Sequence, residues 1–209
     1  MGDTTVIYYT SNREREGFES KVQQELGKAI GGLPLISVSQ KPIKFGKNIC
    51  VGDIGATPEN VLIQIREGAR AADTTFVSTA EADCLYHKSY YDFKPKKENV
   101  IYRSDCFYVL WLEYPKYFHY KKRMEIGGIT GRKYLIRIIN NLLSKPFTHL
   151  SHEVNKVANS EEFTPKIPMI SLKTRRGMHY KTPYIQKKNM LELPYWGTAY
   201  EVAKEYTVV

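Results

Sequence analysis

Glu81-Ala82-Asp83 places two carboxylates two positions apart, just beyond the apolar run Thr75 to Thr79 (TFVST). Alternate side chains of an extended chain share a side, so this spacing can present both carboxylates to a divalent cation that bridges the phosphates of a nucleotide. The plainer alternative is an acidic pair that opens a solvated loop or caps a helix. A second chemically capable segment is SLKTRRGMHY, residues 171 to 180. There a short apolar strand delivers Lys173, Thr174, Arg175 and Arg176, Gly177 bends the chain, and His179 follows. The imidazole can complete a hard-metal site or contact a phosphate, and the bland alternative is a basic surface turn with an incidental histidine. The five histidines show no H-E-x-x-H or other zinc spacing. Cys50, Cys84 and Cys106 are odd in number and form no C-x-x-C pair. A zinc enzyme, a structural zinc site and a disulfide framework are therefore disfavoured, and the cysteines read as reduced thiols.

The elements that must position these groups follow from periodicity. Thr4 to Thr10 (TTVIYYT) is β-branched and aromatic, a buried first strand ending in Ser11 and Asn12. Phe18, Val22, Leu26 and Ala29 or Ile30 are spaced for a helix over Glu14 to Ile30, stopped by Gly31 and Gly32. Leu33 to Ser39 is a second strand, followed by an irregular stretch rich in glycine and proline. Thr57-Pro58 is an N-cap and first-turn pair, and Val61, Leu62, Ile65, Ala69 and Ala72 continue a helical stripe. Strand, helix, strand, helix, strand implies right-handed crossovers and a largely parallel sheet, and such sheets bind ligands beyond the carboxyl ends of their strands. Tyr9 to Asn12, Ser39 to Pro42 and Glu81 to Asp83 thus point at one crevice. The second half reads as strands over Val100 to Arg103, Phe107 to Leu112 and Ile170 to Lys173. Helices are expected over Lys133 to Leu143 and Gly197 to Tyr206, with 144 to 168 poorly patterned.

At 209 residues the chain is long enough for one domain with a proper core. The apolar share of 42% and charged share of 25% exclude wholesale disorder, a collagen-like fibre and a coiled coil. No apolar run is long enough to cross a membrane and the N-terminus lacks signal features, so a cytoplasmic protein is expected. The formal charge of +9 is unevenly spread: residues 94 to 188 carry 20 Lys and Arg against 7 Asp and Glu, a net of +13. A sector of that sign attracts polyanions, whether a nucleic acid backbone, a nucleotide pyrophosphate or an anionic membrane, or else keeps an ordinary surface solvated. Twelve aromatic residues between Tyr86 and Tyr120, among them Trp111, are interleaved with lysines and arginines including Lys121, Lys122 and Arg123. Half of them assigned to packing would leave a surface able to stack on bases or sugars. A Rossmann oxidoreductase is disfavoured, because no G-x-G-x-x-G follows YYTSN.

Taken in order, YYTSN, ISVSQKP, VLIQIREGARAA, STAEADCLY, the Gly127-Gly128 loop and SLKTRRGMH resemble the small nucleotide-sugar glycosyltransferases of the GT-A fold, akin to the family-2-like group. The resemblance covers nearly the whole chain. It implies an α/β fold of GT-A (Rossmann-like) type, a mixed, mainly parallel sheet flanked by helices. It implies a single domain with a nucleotide-sugar half, about 1–93, and an acceptor half, about 94–209. By the same resemblance Asp83 and Glu81 match the D-x-D motif that ligates manganese or magnesium, with glutamate in the first place, and His179 matches the C-terminal metal or diphosphate ligand. Tyr9, Thr10 and Asn12 would lie beside the base and ribose of a donor, by family habit UDP-linked, with Gln40 and Arg66 near the same pocket. Gly127 and Gly128 would let backbone approach donor sugar or acceptor. Inverting members deprotonate the acceptor with a carboxylate; no acidic pair follows the glycines at the expected place, so Glu153, Glu125 and Asp105 are the candidates.

The basic, aromatic sector makes a polyanionic acceptor more plausible than a neutral oligosaccharide, with Lys121, Lys122, Arg123, Trp111, Arg175 and Arg176 as its contacts. A specific form is a sugar transferase acting on a hydroxymethylated pyrimidine in DNA, as in hypermodified genomes of bacterial viruses. The competing readings are a glycosyltransferase for a saccharide, lipid-linked glycan or protein, and a non-catalytic nucleic-acid-binding module.

Overall fold

A computed structural model describes residues 3–121, 124, 127–146, 150–177 and 189–207. The first strand, β1 (Thr4–Thr10), is buried from its second residue to its last. Both of its faces are covered, which is why it is a continuous apolar run and does not alternate. Helix α1 (Glu16–Ile30) buries Phe18, Val22, Leu26, Ala29 and Ile30 and ends at Gly31, whose φ of 58° is the left-handed cap that glycine adopts without a Cβ penalty. β2 (Leu35–Ser39) and β3 (Lys47–Cys50) follow. Helix α2 (Pro58–Ala71) is capped by the Thr57 hydroxyl, which accepts from the Asn60 amide. It lies so close to the sheet that a Cβ on Gly68 would collide with Ile7. β4 (Phe76–Glu81) completes the unit. β1 pairs in parallel with β2 and with β4, and β2 with β3. The parallel sheet expected from the first eighty residues is thus present, with β3 as an additional edge. Its short, polar KNIC sequence, with no residue of the strand buried, carries no strand signal of its own; pairing to β2 makes it one.

The remainder of the chain folds back onto this sheet. It comprises β5 (Cys84–Leu85), α3 (Lys88–Tyr91), β6 (Ile101–Ser104), β7 (Phe107–Trp111), β8 (Phe118–Tyr120), β9 (Ile129–Gly131), α4 (Arg132–Leu143), α5 (Leu150–Val157), β10 (Ser160–Phe163), β11 (Met169–Lys173), β12 (Asn189–Met190), β13 (Glu192–Leu193), β14 (Gly197–Thr198) and α6 (Ala199–Thr207). β9 inserts antiparallel between β4 and β6, giving a seven-stranded sheet in the order β10-β6-β9-β4-β1-β2-β3. A second sheet runs β12-β8-β7-β11-β5, and β13 pairs with β14. The stretch 144–168, unpatterned in sequence, contains α5 and β10; SEEF in β10 is exposed except for Phe163, because it forms the outer edge of the large sheet.

Period-two alternation divides the core. Ile7 and Tyr9 of β1 face α2 and α4 with Leu62, Ile65, Leu135 and Ile139, whereas Val6 and Tyr8 face Leu26, Tyr86, Tyr90 and Tyr102. A third cluster joins the other flank of α1 to the second sheet and α6 through Phe18, Val22, Leu110, Leu172 and Val202. The tyrosine-rich segment belongs to these interiors. Of its twelve aromatics, Tyr86, Tyr90, Tyr91, Tyr102, Phe107, Tyr108 and Phe118 are buried, and Tyr114, at 67% exposure, is the one fully exposed. Seven of the twelve are therefore packing, close to the half expected, while Phe93, Trp111, Tyr117 and Tyr120 are only half-buried, so the strongly exposed stacking surface is limited to Tyr114.

Candidate active site

At the carboxyl ends of β1 and β4 the chain leaves a cleft of about 130 Å³. It is lined by Tyr9, Thr10, Ser11, Arg13, Glu14 and Glu19 from the β1 end and the start of α1, by Glu81, Ala82 and Asp83 after β4, and by Lys173, Arg176 and Gly177 after β11. Asn60, Val61 and Gln64 of α2, with Gly55 and Ala56, form the remaining wall. Two of the three segments expected to converge do so. The third, Ser39 to Pro42, supports the cleft from behind. Asn12, held at a φ of 52°, uses its side-chain oxygen to accept from the Gln40 amide at 2.9 Å and the Lys41 amide at 2.8 Å. It thereby ties the end of β1 to the end of β2. The Gln40 side chain donates to the Gly55 carbonyl, and buried Gln64 donates to the carbonyls of Thr10 at 2.7 Å and Val38 at 3.1 Å. Asn12 and Gln40, expected beside a nucleotide, are thus the fasteners of the loops that line the cleft.

The chemical centre is a cluster of carboxylates around one lysine. β11 pairs antiparallel with β5, placing Ser171 opposite Cys84, and the Leu172 amide donates to the Asp83 carbonyl at 2.7 Å. Residues two apart on a strand share a face, so Ser171 and Lys173 both reach Asp83. Lys173 Nζ lies 2.9 Å and Ser171 Oγ 3.4 Å from Asp83 Oδ2. The two side chains of this ion pair are 13% and 20% exposed. Burial pushes the Asp83 carboxyl up, but the Lys173 charge and the hydrogen bonds from Lys173, Cys84 and Ser171 outweigh it and hold it below the usual range. Burial acts against the Lys173 ammonium too, yet Asp83 and Glu81 together raise its pKa.

Glu81 lies directly opposite Tyr9 in the β1–β4 register. Burial, then the neighbouring Asp83 charge, push its carboxyl up to about 7. Glu19, only 6% exposed, accepts from the Thr10 hydroxyl at 2.7 Å, and burial raises it to about 6. Glu14 accepts from the Thr174 hydroxyl and is also raised, again chiefly by burial. Burial thus raises these three carboxyls of the cleft above the ordinary range, the direction that suits general acid–base work.

A second cavity of about 300 Å³ adjoins the first and shares Glu14, Lys173 and Arg176 with it. Phe18, Leu112 and Tyr206 give it an apolar wall, and Arg15, Arg175 and Arg176 give it positive charge. Arg175 is partly committed, its guanidinium gripping Glu113 through Nε at 2.8 Å.

Other expected site residues lie elsewhere. Asp105 accepts from Thr164 at 2.8 Å, half-buried Glu153 pairs with Lys156 at 2.8 Å, and neither lines the cleft, so neither is placed to act as base. Arg66 turns to Glu67 and Asn140 across α2 and α4. Trp111, at the end of β7, packs its ring edge on His119. Gly128 sits at the start of β9, where a Cβ would come 2.5 Å from the Tyr102 carbonyl oxygen, and Gly127 is crowded by Met124. Their close approach is therefore to protein and not to the cleft. Lys121 stands over the Phe107 ring at 6.0 Å and helps to lower the Glu81 carboxyl. His179, Glu125, Lys122 and Arg123 lie outside the described residues.

Sequence reading passed over Glu14, Glu19 and Gln64 and treated Lys173 only as part of a basic turn. A signal existed for two of them: Glu19 is three residues before Val22 and seven before Leu26, and Gln64 is four residues before Gly68, so both sit on buried stripes.

Glu81, Asp83 and Cys84 bring one ligand atom each within 4.8 Å of one another. A hard divalent ion there would meet one glutamate, a buried sulfur in place of a hard oxygen, and an aspartate already paired with the Lys173 ammonium at 2.9 Å. Among the described residues this donor set does not fit manganese or magnesium, which need several oxygen ligands.

A mixed, mainly parallel sheet flanked by helices, with charged groups gathered beyond its central strand ends, defines an α/β domain of GT-A type. No family model and no curated protein sequence matches the chain. Among solved structures it is similar to a glycosyltransferase involved in the glycosylation of the major capsid of PBCV-1, with a TM-score of 0.51 at 8% identity, over 83% of this chain and 95% of that one. The bifunctional IspDF from Campylobacter jejuni gives a TM-score of 0.50 at 12% identity, over 78% of this chain; the chain spans half the length of that protein. At such identities the likeness is one of fold. No helix among the described residues is long and apolar enough to cross a membrane.

Proposed function

We propose that the protein transfers a sugar from a nucleotide-sugar, with UDP as the nucleotide, to a hydroxyl group of an anionic acceptor. The observation that carries this is the convergence of Glu81, Asp83 and Lys173 beyond β4 in a GT-A-type sheet, in a cleft that opens onto a second, cationic cavity. The donor diphosphate lies at Lys173 and Arg176, and the acceptor enters past Arg15, Arg175 and Phe18. Among the described residues Glu14 is the carboxylate that lines both cavities, which places it to meet an acceptor hydroxyl beside the donor. It takes the hydroxyl proton as the acceptor oxygen bonds to the anomeric carbon. The bond from that carbon to the diphosphate breaks, and its electron pair leaves on the phosphate oxygen. DNA carrying a hydroxymethylated pyrimidine is the nucleic-acid member of the acceptor class. It rests on the +13 charge of residues 94 to 188 and draws no support from the buried aromatics.

The test offers a panel of nucleotide-sugars with hydroxymethylated DNA, unmodified DNA, an anionic glycan and a neutral glycan, with products weighed by mass spectrometry. Consumption of one donor and a one-sugar mass gain on one anionic acceptor is expected. Glu14→Gln should lower turnover by about 10²- to 10⁴-fold while leaving donor affinity within a few-fold. Transfer to the neutral glycan alone would refute the acceptor class, and no consumption of any donor would refute the activity.

A further inference from the structure

We infer that Lys173 supplies, as a fixed ammonium, the positive charge that neutralises the nucleotide diphosphate, so that the site binds a nucleoside diphosphate without a divalent ion. The backbone that carries Lys173 is held on two sides. Lys173 pairs with Trp111 in the β11–β7 register, its carbonyl accepts from the Leu112 amide at 3.2 Å, and the preceding Leu172 amide is fastened to Asp83. The ammonium therefore stands at a set place, 2.9 Å from Asp83 Oδ2 and largely withdrawn from water.

That place is where a leaving diphosphate has to be met. Lys173 lines both cavities, at the junction between the proposed donor and acceptor sides. An ammonium has three donors, and among the described residues Asp83 engages one of them, so two can turn to phosphate oxygens. A dication entering between Glu81 and Asp83 would have to displace the lysine or lie against its charge, and in a site withdrawn from water that repulsion is weakly screened. Arg176, which also lines both cavities, adds a second cation without closing the acidic pair. Asp83 is then the anchor that aims Lys173, and the acidic pair need not be a metal cradle.

Lys173 can play this part only if the cleft takes a nucleotide-sugar, as proposed above, so the test separates the two. UDP binding is measured by titration calorimetry in EDTA and again in 1 mM Mn²⁺. For the unaltered protein the two dissociation constants are expected to agree within about threefold. Lys173→Met is expected to weaken UDP binding at least tenfold in EDTA and to regain much of it with Mn²⁺, which the freed carboxylates can then hold; Lys173→Arg should retain metal-free binding. Binding of UDP by the unaltered protein only when Mn²⁺ is present would overturn the inference and leave the proposed function standing. No UDP binding in either condition would overturn both. Should Lys173→Met fail to fold, the electron paramagnetic resonance of Mn²⁺ added to the unaltered protein decides: free-ion spectra are expected, and stoichiometric immobilised Mn²⁺ would overturn the inference.

Discussion

Glu19 shows how burial, more than sequence type, sets the chemistry of this cleft. Its carboxyl is raised from 4.5 to about 6, chiefly because almost no water reaches it, while the Thr10 hydroxyl offsets part of that cost. Because the folded state holds this proton more tightly than the unfolded chain, the stabilisation is full below about pH 4.5 and is lost as pH rises through about 6. Glu19→Gln keeps an oxygen for Thr10 and has no proton to lose. Its stability relative to the parent should therefore rise by about 2 kcal/mol between pH 4.5 and pH 8, the linkage equivalent of that displaced pKa. Urea denaturation at the two pH values measures it, and a pH-independent difference would mean that Glu19 is no more buried in the folded protein than in the unfolded chain. Glu81, raised to about 7 by burial and by Asp83, acts in the same direction over a higher window.

At the scale of elements, the cleft depends on fasteners that periodicity does not reveal. Asn12 joins two strand ends through one oxygen, in a left-handed conformation that asparagine tolerates better than most residues. Asn12→Ala leaves the amides of Gln40 and Lys41 without that acceptor and should cost about 1–3 kcal/mol. Asn12→Gly relieves the backbone but restores no acceptor, so most of the loss should persist in thermal or urea unfolding. Loss in the alanine variant with full recovery in the glycine variant would place the whole effect in the backbone angle. The strands and helices themselves were legible: β1, α1, β2, α2, β4, α4 and β11 all fall within a few residues of their periodic signals. β3 and β10 were not, because a short polar edge strand is made by its partner and has no apolar face to announce it.

For the whole molecule, the topology ties the two halves of the chain into the same sheets. β9 and β6 extend the sheet begun by β1, β2 and β4, and β5 pairs with β11. One cooperative transition is expected. Far-UV circular dichroism is weighted towards the helices against the large sheet. Fluorescence reports Trp111 in the second sheet and Trp196, which donates to the Pro168 carbonyl just before β11. Coincident midpoints would support a single folding unit, and separated ones would show the sheets unfolding independently.

The order of elements, the parallel nucleus and the meeting of the β1 end with Glu81 and Asp83 were determined by the sequence alone, because apolar spacing and the handedness of crossovers leave few other arrangements. Which charges meet there was decided only in three dimensions. Lys173 is ninety residues from Asp83 in the chain and reaches it through the β5–β11 pairing, a contact that local pattern does not encode. The same holds for Tyr86, Tyr90, Tyr91 and Tyr102, whose composition suits a surface or a core equally, and which became core by packing together with β1, Phe107 and Met169.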